Sequence, residues 1–246
     1  MARRNGHNPL DGHGGQLKRQ YPALILIALL CLFTIGSHPT PAVAQAGNIY
    51  DIRTWFLAPS DHAKKLWQQV LDSAEYKEKD IVFRKCHHVP NAMAYYFPPE
   101  GYWWNGRWVE TKKAEKYVVY NPNFMAQLDL YTNSDKSFPA LGIFAHELGH
   151  HKLKHFEQSP KTPHQKELEA DEFSGAIMKK MGASETDIEA TFRLMYSAWA
   201  TPTHPASDAR IAAICKGYHG DKAEDALYKR LIEVHKKFNE QMMRWH

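Results

Sequence analysis

A chain of 246 residues has room for one well-cored domain, and 43% apolar with 24% charged residues argues against a disordered or fibrous protein. Most of the formal charge of +4 lies in the first 44 residues, where Arg3, Arg4, Lys18 and Arg19 are opposed only by Asp11. The remainder is nearly neutral and carries no electrostatic footprint for nucleic acid.

Residues 1–20 are polar, glycine-rich and basic. Ala23 to Gly36 is an apolar run shorter than the about 20 residues a bilayer span takes. Pro39, Pro41 and the small-x-small triplet Ala42-Val43-Ala44 follow. This succession reads as a secretory signal peptide over 1–44, cleaved near Ala44, with one mature domain over 45–246 that is periplasmic or secreted. The alternative is an uncleaved anchor, which is the one route to a membrane here. Arg3-Arg4 lacks the context of a twin-arginine signal, and Cys31 lacks the preceding small residue of a lipidated cysteine. Export would place Cys86 and Cys215 in an oxidising compartment, where they can pair across a long loop; two separate buried thiols are the other reading.

Apolar spacing then predicts a helix over Asp61–Ala74, capped by Ser60 or Asp61. Asp80–Cys86, Pro90–Phe97 and Lys116–Tyr120 read as strands. Between them, Gly101–Trp108 sets three tryptophans and a tyrosine around Asn105-Gly106, a hairpin turn signal. An aromatic hairpin of this kind is expected to be a packed cover, and a binding wall is the second reading. Beyond Asn121-Pro122 the pattern is helical: Pro122–Tyr131, a loop over Thr132–Pro139, a helix through His146 to near Phe156, then His164–Met181, Glu185–Trp199, Ala206–Lys216 and Asp221–Arg244. The fold class is therefore α+β, a small sheet on a mainly helical body.

The chemistry centres on His146-Glu147-Leu148-Gly149-His150. Residues four apart stack on one helical face, so His146 and His150 can grip one zinc ion while Glu147 holds a water beside it. The alternative is an amphipathic helix that merely carries two histidines. Glu167-Leu168-Glu169-Ala170-Asp171 on the next helix supplies Glu167 as third ligand and Asp171 as partner of His146, with Glu169 pointing elsewhere. An acidic, solvated helix start is the competing reading. Gly149, Ala170 and Gly175 are expected to let the two helices approach closely.

These two runs together resemble the gluzincin metallopeptidases of the HtpX and CAAX-prenyl-protease type, whose soluble members are called minigluzincins. Asn91-Ala92-Met93-Ala94 is similar to the family's strand beside the active site. His155 stands five after the second ligand, and Thr203-His204-Pro205 with Arg210 is similar to a later His-Pro loop and arginine. The resemblance spans Cys86 to Ile214. It implies a zincin-like fold with the catalytic helix under a small mixed sheet, one zinc ion (Zn2+) per chain, and an endopeptidase acting on proteins or peptides. The absence of further hydrophobic spans argues against a prenylated membrane substrate, and the insertion around Trp103–Lys116 does not align with the family.

The roles expected are His146, His150 and Glu167 as ligands and Glu147 as the base that takes a proton from the zinc-bound water. His204 would be the second donor to the oxyanion, its loop anchored by Arg210, unless it is simply a surface histidine. Tyr95 and Tyr96 are weaker candidates. Asn91 to Ala94 would bind an extended substrate along a strand edge. His151 is out of phase with the zinc face, and His155 reads as a helix-end residue. The rival to an enzyme is a latent or non-cleaving envelope assembly factor on the same scaffold.

Overall fold

Ser60 sets the first helix in place: its Oγ accepts the Ala63 N–H at 3.2 Å, and α1 runs over Asp61–Ser73. Ala63, Leu66, Trp67 and Val70 line its buried side, as the apolar spacing requires. The computed structural model describes residues 51–130, 137–195, 204–220 and 226–243. The expected signal segment and cleavage site, most of the Thr132–Pro139 loop and the start of the His204 loop lie outside them. Among the described residues no helix is long and apolar enough to cross a membrane.

Five strands follow: β1 (Ile81–Lys85), β2 (Ala92–Phe97), β3 (Glu100–Trp104), β4 (Arg107–Lys112) and β5 (Glu115–Tyr120). Three of them form a mixed sheet of order β1-β5-β2, with β5 parallel to β1 and antiparallel to β2. The sheet therefore ends on β2. Alternation divides its faces: Ala92, Ala94, Val118 and Tyr120 pack on the main core, while Met93, Tyr95, Tyr117 and Val119 pack with Phe56, Cys86 and Val89 on the other side.

The main core is aromatic where α1, the sheet and the helix that carries Phe144 meet. Trp67 stacks on Phe83 at 5.0 Å and Phe83 on Tyr120 at 5.1 Å. Phe144 stands edge-on to Phe83 at 5.1 Å.

Strands β3 and β4 form their own two-stranded sheet. Asn105 and Gly106 take φ of 47° and 75°, the left-handed pair that a two-residue hairpin turn requires. The expectation of a packed cover is overturned here. Tyr102, Trp103, Trp104 and Trp108 are 53, 71, 64 and 44% exposed. Among the described residues the hairpin pairs with itself alone, and these four aromatic side chains stand open to solvent.

The body is helical: α2 (Pro122–Leu130), α3 (Phe138–Lys152), α4 (Pro163–Lys180), α5 (Glu185–Met195), α6 (Ser207–His219) and α7 (Ala226–Met243). The architecture is thus α+β. Helix α3 is buried on every side because Phe138 to Ala145 is almost wholly apolar. His151 Nε2 lies 2.9 Å from the Tyr117 carbonyl and ties α3 to β5. Helix α4 opens with a full capping box between Thr162 and Gln165, Pro163 occupying the first turn where no N–H is needed. Gly175 serves a neighbour other than the one expected: a Cβ there would lie 2.2 Å from the Ile214 carbonyl of α6. Gly217 on α6 has the reciprocal role, with a Cβ reaching to 1.8 Å from the Glu172 carbonyl.

Cys86 and Cys215 are not bonded to each other. Cys86 lies in the small cluster on one face of the sheet and Cys215 in the main core, so the expected disulfide has no geometry to form in.

Helix α3 also stops four residues before the expected Phe156. Lys154 turns left-handed at φ 59°, its N–H donates to the His151 carbonyl, and the His155 N–H donates to the His150 carbonyl. These two bonds make a Schellman stop, a motif in which glycine is the usual left-handed residue. Lys154 holds that conformation against side-chain crowding. Lys154→Gly should therefore stabilise the chain by up to about 1 kcal/mol, raising the melting temperature by about 2–4 °C. A lowered melting temperature in a thermal scan would refute this account of the turn.

Candidate active site

Helices α3 and α4 bring three side chains to one point. His146 Nε2 and His150 Nε2 are 3.2 Å apart. Glu167 sets Oε2 at 3.5 Å from His146 Nε2 and Oε1 at 3.4 Å from His150 Nε2. Among the described residues these three form the group able to hold a metal ion. The approach depends on Gly149, where a Cβ would sit 3.3 Å from the Ala170 Cα and 3.1 Å from the Phe173 ring. A bulkier residue would push α4, and with it Glu167, away from the histidines.

The donor set fits a tetrahedral ion. At zinc–nitrogen distances of 2.0–2.1 Å, two imidazole nitrogens on one ion stand about 3.3 Å apart. Glu167 Oε2 is buried without a hydrogen-bond partner, as a ligand oxygen would be in the absence of its metal. Burial opposes charge on His146, but Asp171 and then Glu167 outweigh it and lift its pKa to about 10. Burial, then the neighbouring His146, push His150 down to about 3. Burial opposes ionisation of Glu167, yet contact with His146 keeps its carboxyl below the usual range. The pocket is thus built to hold one positive charge, and a metal would compete with a proton for it.

Each imidazole is backed on its far nitrogen. Asp171 Oδ1 lies 2.9 Å from His146 Nδ1. Arg210, from α6, grips the same carboxylate with two bonds, Nε to Oδ2 at 2.6 Å and NH2 to Oδ1 at 2.8 Å. Arg210 also stands 3.8 Å from Glu167 Oε2. Behind His150 stands His155, Nδ1 to Nδ1 at 3.1 Å, with Glu169 Oε2 at 3.0 Å from its other nitrogen. Glu169 does point away from the metal face, and what it points to is His155.

Glu147, beside His146 on α3, is buried, and its Oε2 accepts the Ala94 N–H at 2.6 Å. Burial pushes its pKa up to about 7. This bond also fixes the sense of β2: the Ala94 N–H points off the outer edge of the sheet, toward the site. The other members of the expected substrate strand sit differently. The Ala92 side chain is in the core, Met93 packs on the far face of the sheet, and the Asn91 carbonyl accepts the Asn121 N–H.

Tyr95 faces away from the site with Met93, its hydroxyl 3.4 Å from Met93 Sδ. Tyr96 stacks on Phe156 at 5.9 Å. His204 is half exposed at the mouth, its Nε2 3.5 Å from Glu167 Oε2.

Residues 138–231 match the family model described as Peptidase U49. The match indicates a peptidase. It runs from the first residue of α3 into α7 and so contains every side chain that meets at the site, while the sheet and the hairpin lie outside it. No curated protein and no solved structure matches the chain.

The Asp171–Arg210 pair is almost wholly dry. Arg210→Met would strand a buried carboxylate, and should cost about 3–5 kcal/mol in urea unfolding of the chelator-treated protein. A loss below about 1 kcal/mol would mean that the pair does not brace the site.

Proposed function

We propose that this chain is an exported zinc-dependent endopeptidase that hydrolyses proteins or peptides of the cell envelope. The observation that carries this reading is the meeting of His146 Nε2, His150 Nε2 and Glu167 within 3.2–3.5 Å, beside a buried Glu147 that is bonded to a strand edge. Two imidazoles and one carboxylate leave an open position, the pattern of a catalytic rather than a structural site. A zinc ion held by these three residues would supply a Lewis acid and a water of lowered pKa.

The remaining work falls to the protein's own side chains. Glu147, poised near neutrality by burial, accepts the proton of the attacking water and delivers it to the leaving amine. The Ala94 N–H fixes Oε2, so the carboxylate presents its other oxygen without rotating away. An extended peptide would pair along the outer edge of β2, which brings its scissile carbonyl past α3. His204 at the mouth is placed to donate to the oxyanion. Asp171 and Arg210 keep His146 aimed. The basic head, the short apolar run and the Ala42-Val43-Ala44 site support export.

A latent form is the second reading, favoured by one distance. His204 Nε2 stands 3.5 Å from Glu167 Oε2, as far as His146 Nε2 does, and could itself fill the open position.

Two substitutions test these roles in the full-length protein. Glu147→Gln should retain one zinc per chain by elemental analysis while cleavage of casein falls by about 10²–10⁴-fold. Undiminished cleavage would remove Glu147 from the mechanism. His204→Ala separates the two readings: a donor lost lowers turnover by about 10²–10³-fold, whereas a plug removed raises it.

A further inference from the structure

We infer that His155 is a positioning residue for His150, holding that imidazole in the tautomer and orientation that leave Nε2 for the metal. This rests on the metal reading above. The rings stand edge-on, centroids 5.0 Å apart and planes at 77°, with the two Nδ1 atoms 3.1 Å apart. Two ring nitrogens so placed share one proton, and the rest of the site says whose it is. His150 Nε2 faces His146 Nε2 and Glu167, so it must present a lone pair to a metal there, and the His150 proton is on Nδ1. That N–H donates to His155 Nδ1. The proton of His155 is then on Nε2, where Glu169 Oε2 accepts it at 3.0 Å. A single assignment satisfies every ring nitrogen along the line.

The backbone delivers His155 to this place. The left-handed Lys154 brings the chain back over the last turn of α3, and the His155 N–H closes on the His150 carbonyl at 2.9 Å. Lys166 from α4 donates to the His155 carbonyl, and Lys161 holds Glu169 at 2.7 Å. The main chain therefore caps the helix, and the side chain is left to support His150. His155 is buried, held between His150 on one side and Glu169 on the other. It is placed wrongly to be a ligand: one nitrogen meets His150 and the other meets Glu169.

The test is zinc affinity of the full-length chain, measured by competition with a chromophoric chelator. His155→Ala should weaken zinc by about 10–100-fold. His155→Asn puts an acceptor oxygen in place of Nδ1 and should recover most of the loss, which a role in packing alone would not predict. The melting temperatures of the metal-free variants separate weaker binding from unfolding, and the Asn variant carries the test if the Ala variant does not fold. X-ray absorption should count the same number of imidazoles on zinc in the wild type and in His155→Asn. Unchanged affinity in His155→Ala, equal losses in the Ala and Asn variants, or one imidazole fewer on zinc in His155→Asn would each overturn the inference. Wild-type protein that binds no zinc would sink the metal reading itself, whereas zinc bound without cleavage would leave the test of His155 standing.

Discussion

Two imidazole nitrogens held 3.2 Å apart, with a buried carboxylate closing the triangle, form a contact that repels unless a positive charge occupies it. The surrounding fold is the means of keeping that contact closed. Helix α3 cannot shift because it is buried all round and tied by His151 to β5. Helix α4 cannot retreat because Gly175 and Gly217 let α6 close on its other side. The desolvation that makes the pocket costly is also what makes it chemically useful, since burial is what lifts Glu147 toward neutrality.

The two supports behind the histidines differ in kind. Asp171 is fully buried and gripped by Arg210 from α6, so the orientation of His146 depends on packing between helices distant in sequence. His155 reaches His150 through a local turn, and its own partner Glu169 is partly open to solvent beside Lys161. One imidazole is set by tertiary packing and the other by the way a helix ends.

Much of this was legible in the sequence because it followed local rules. The four-residue spacings on α3 and α4, the Ser60 cap, the Asn105-Gly106 turn and the strand over Pro90 to Phe97 each depend on residues near one another in the chain. What escaped depended on contacts across it. The exposure of Trp103 and Trp104 could not be read from composition, because it turns on whether another layer closes over the hairpin. The pairing of Cys86 with Cys215 failed because the sheet separates the clusters that hold them. The placement of His155 beside His150 was hidden by a helix read four residues too long. On a continued helix its side chain would have fallen elsewhere, and only the left-handed Lys154 returns it to His150.

The match to Peptidase U49 divides the molecule along the same line as the chemistry. His146, His150, Glu167, Glu147 and the groups behind the two histidines lie on α3, α4, α6 and the turn after α3, all within residues 138–231. The sheet contributes one backbone N–H, from Ala94, and an outer edge with no further strand on it among the described residues. A backbone donor is indifferent to side-chain identity, so the strand can change sequence without disturbing Glu147, provided its register holds. Register is fixed by the alternation of β2 between the main core and the cluster around Cys86, since a slip of one residue would exchange the two faces. The division is therefore physical: the helices carry the clustered side chains, and β2 meets them through a backbone donor.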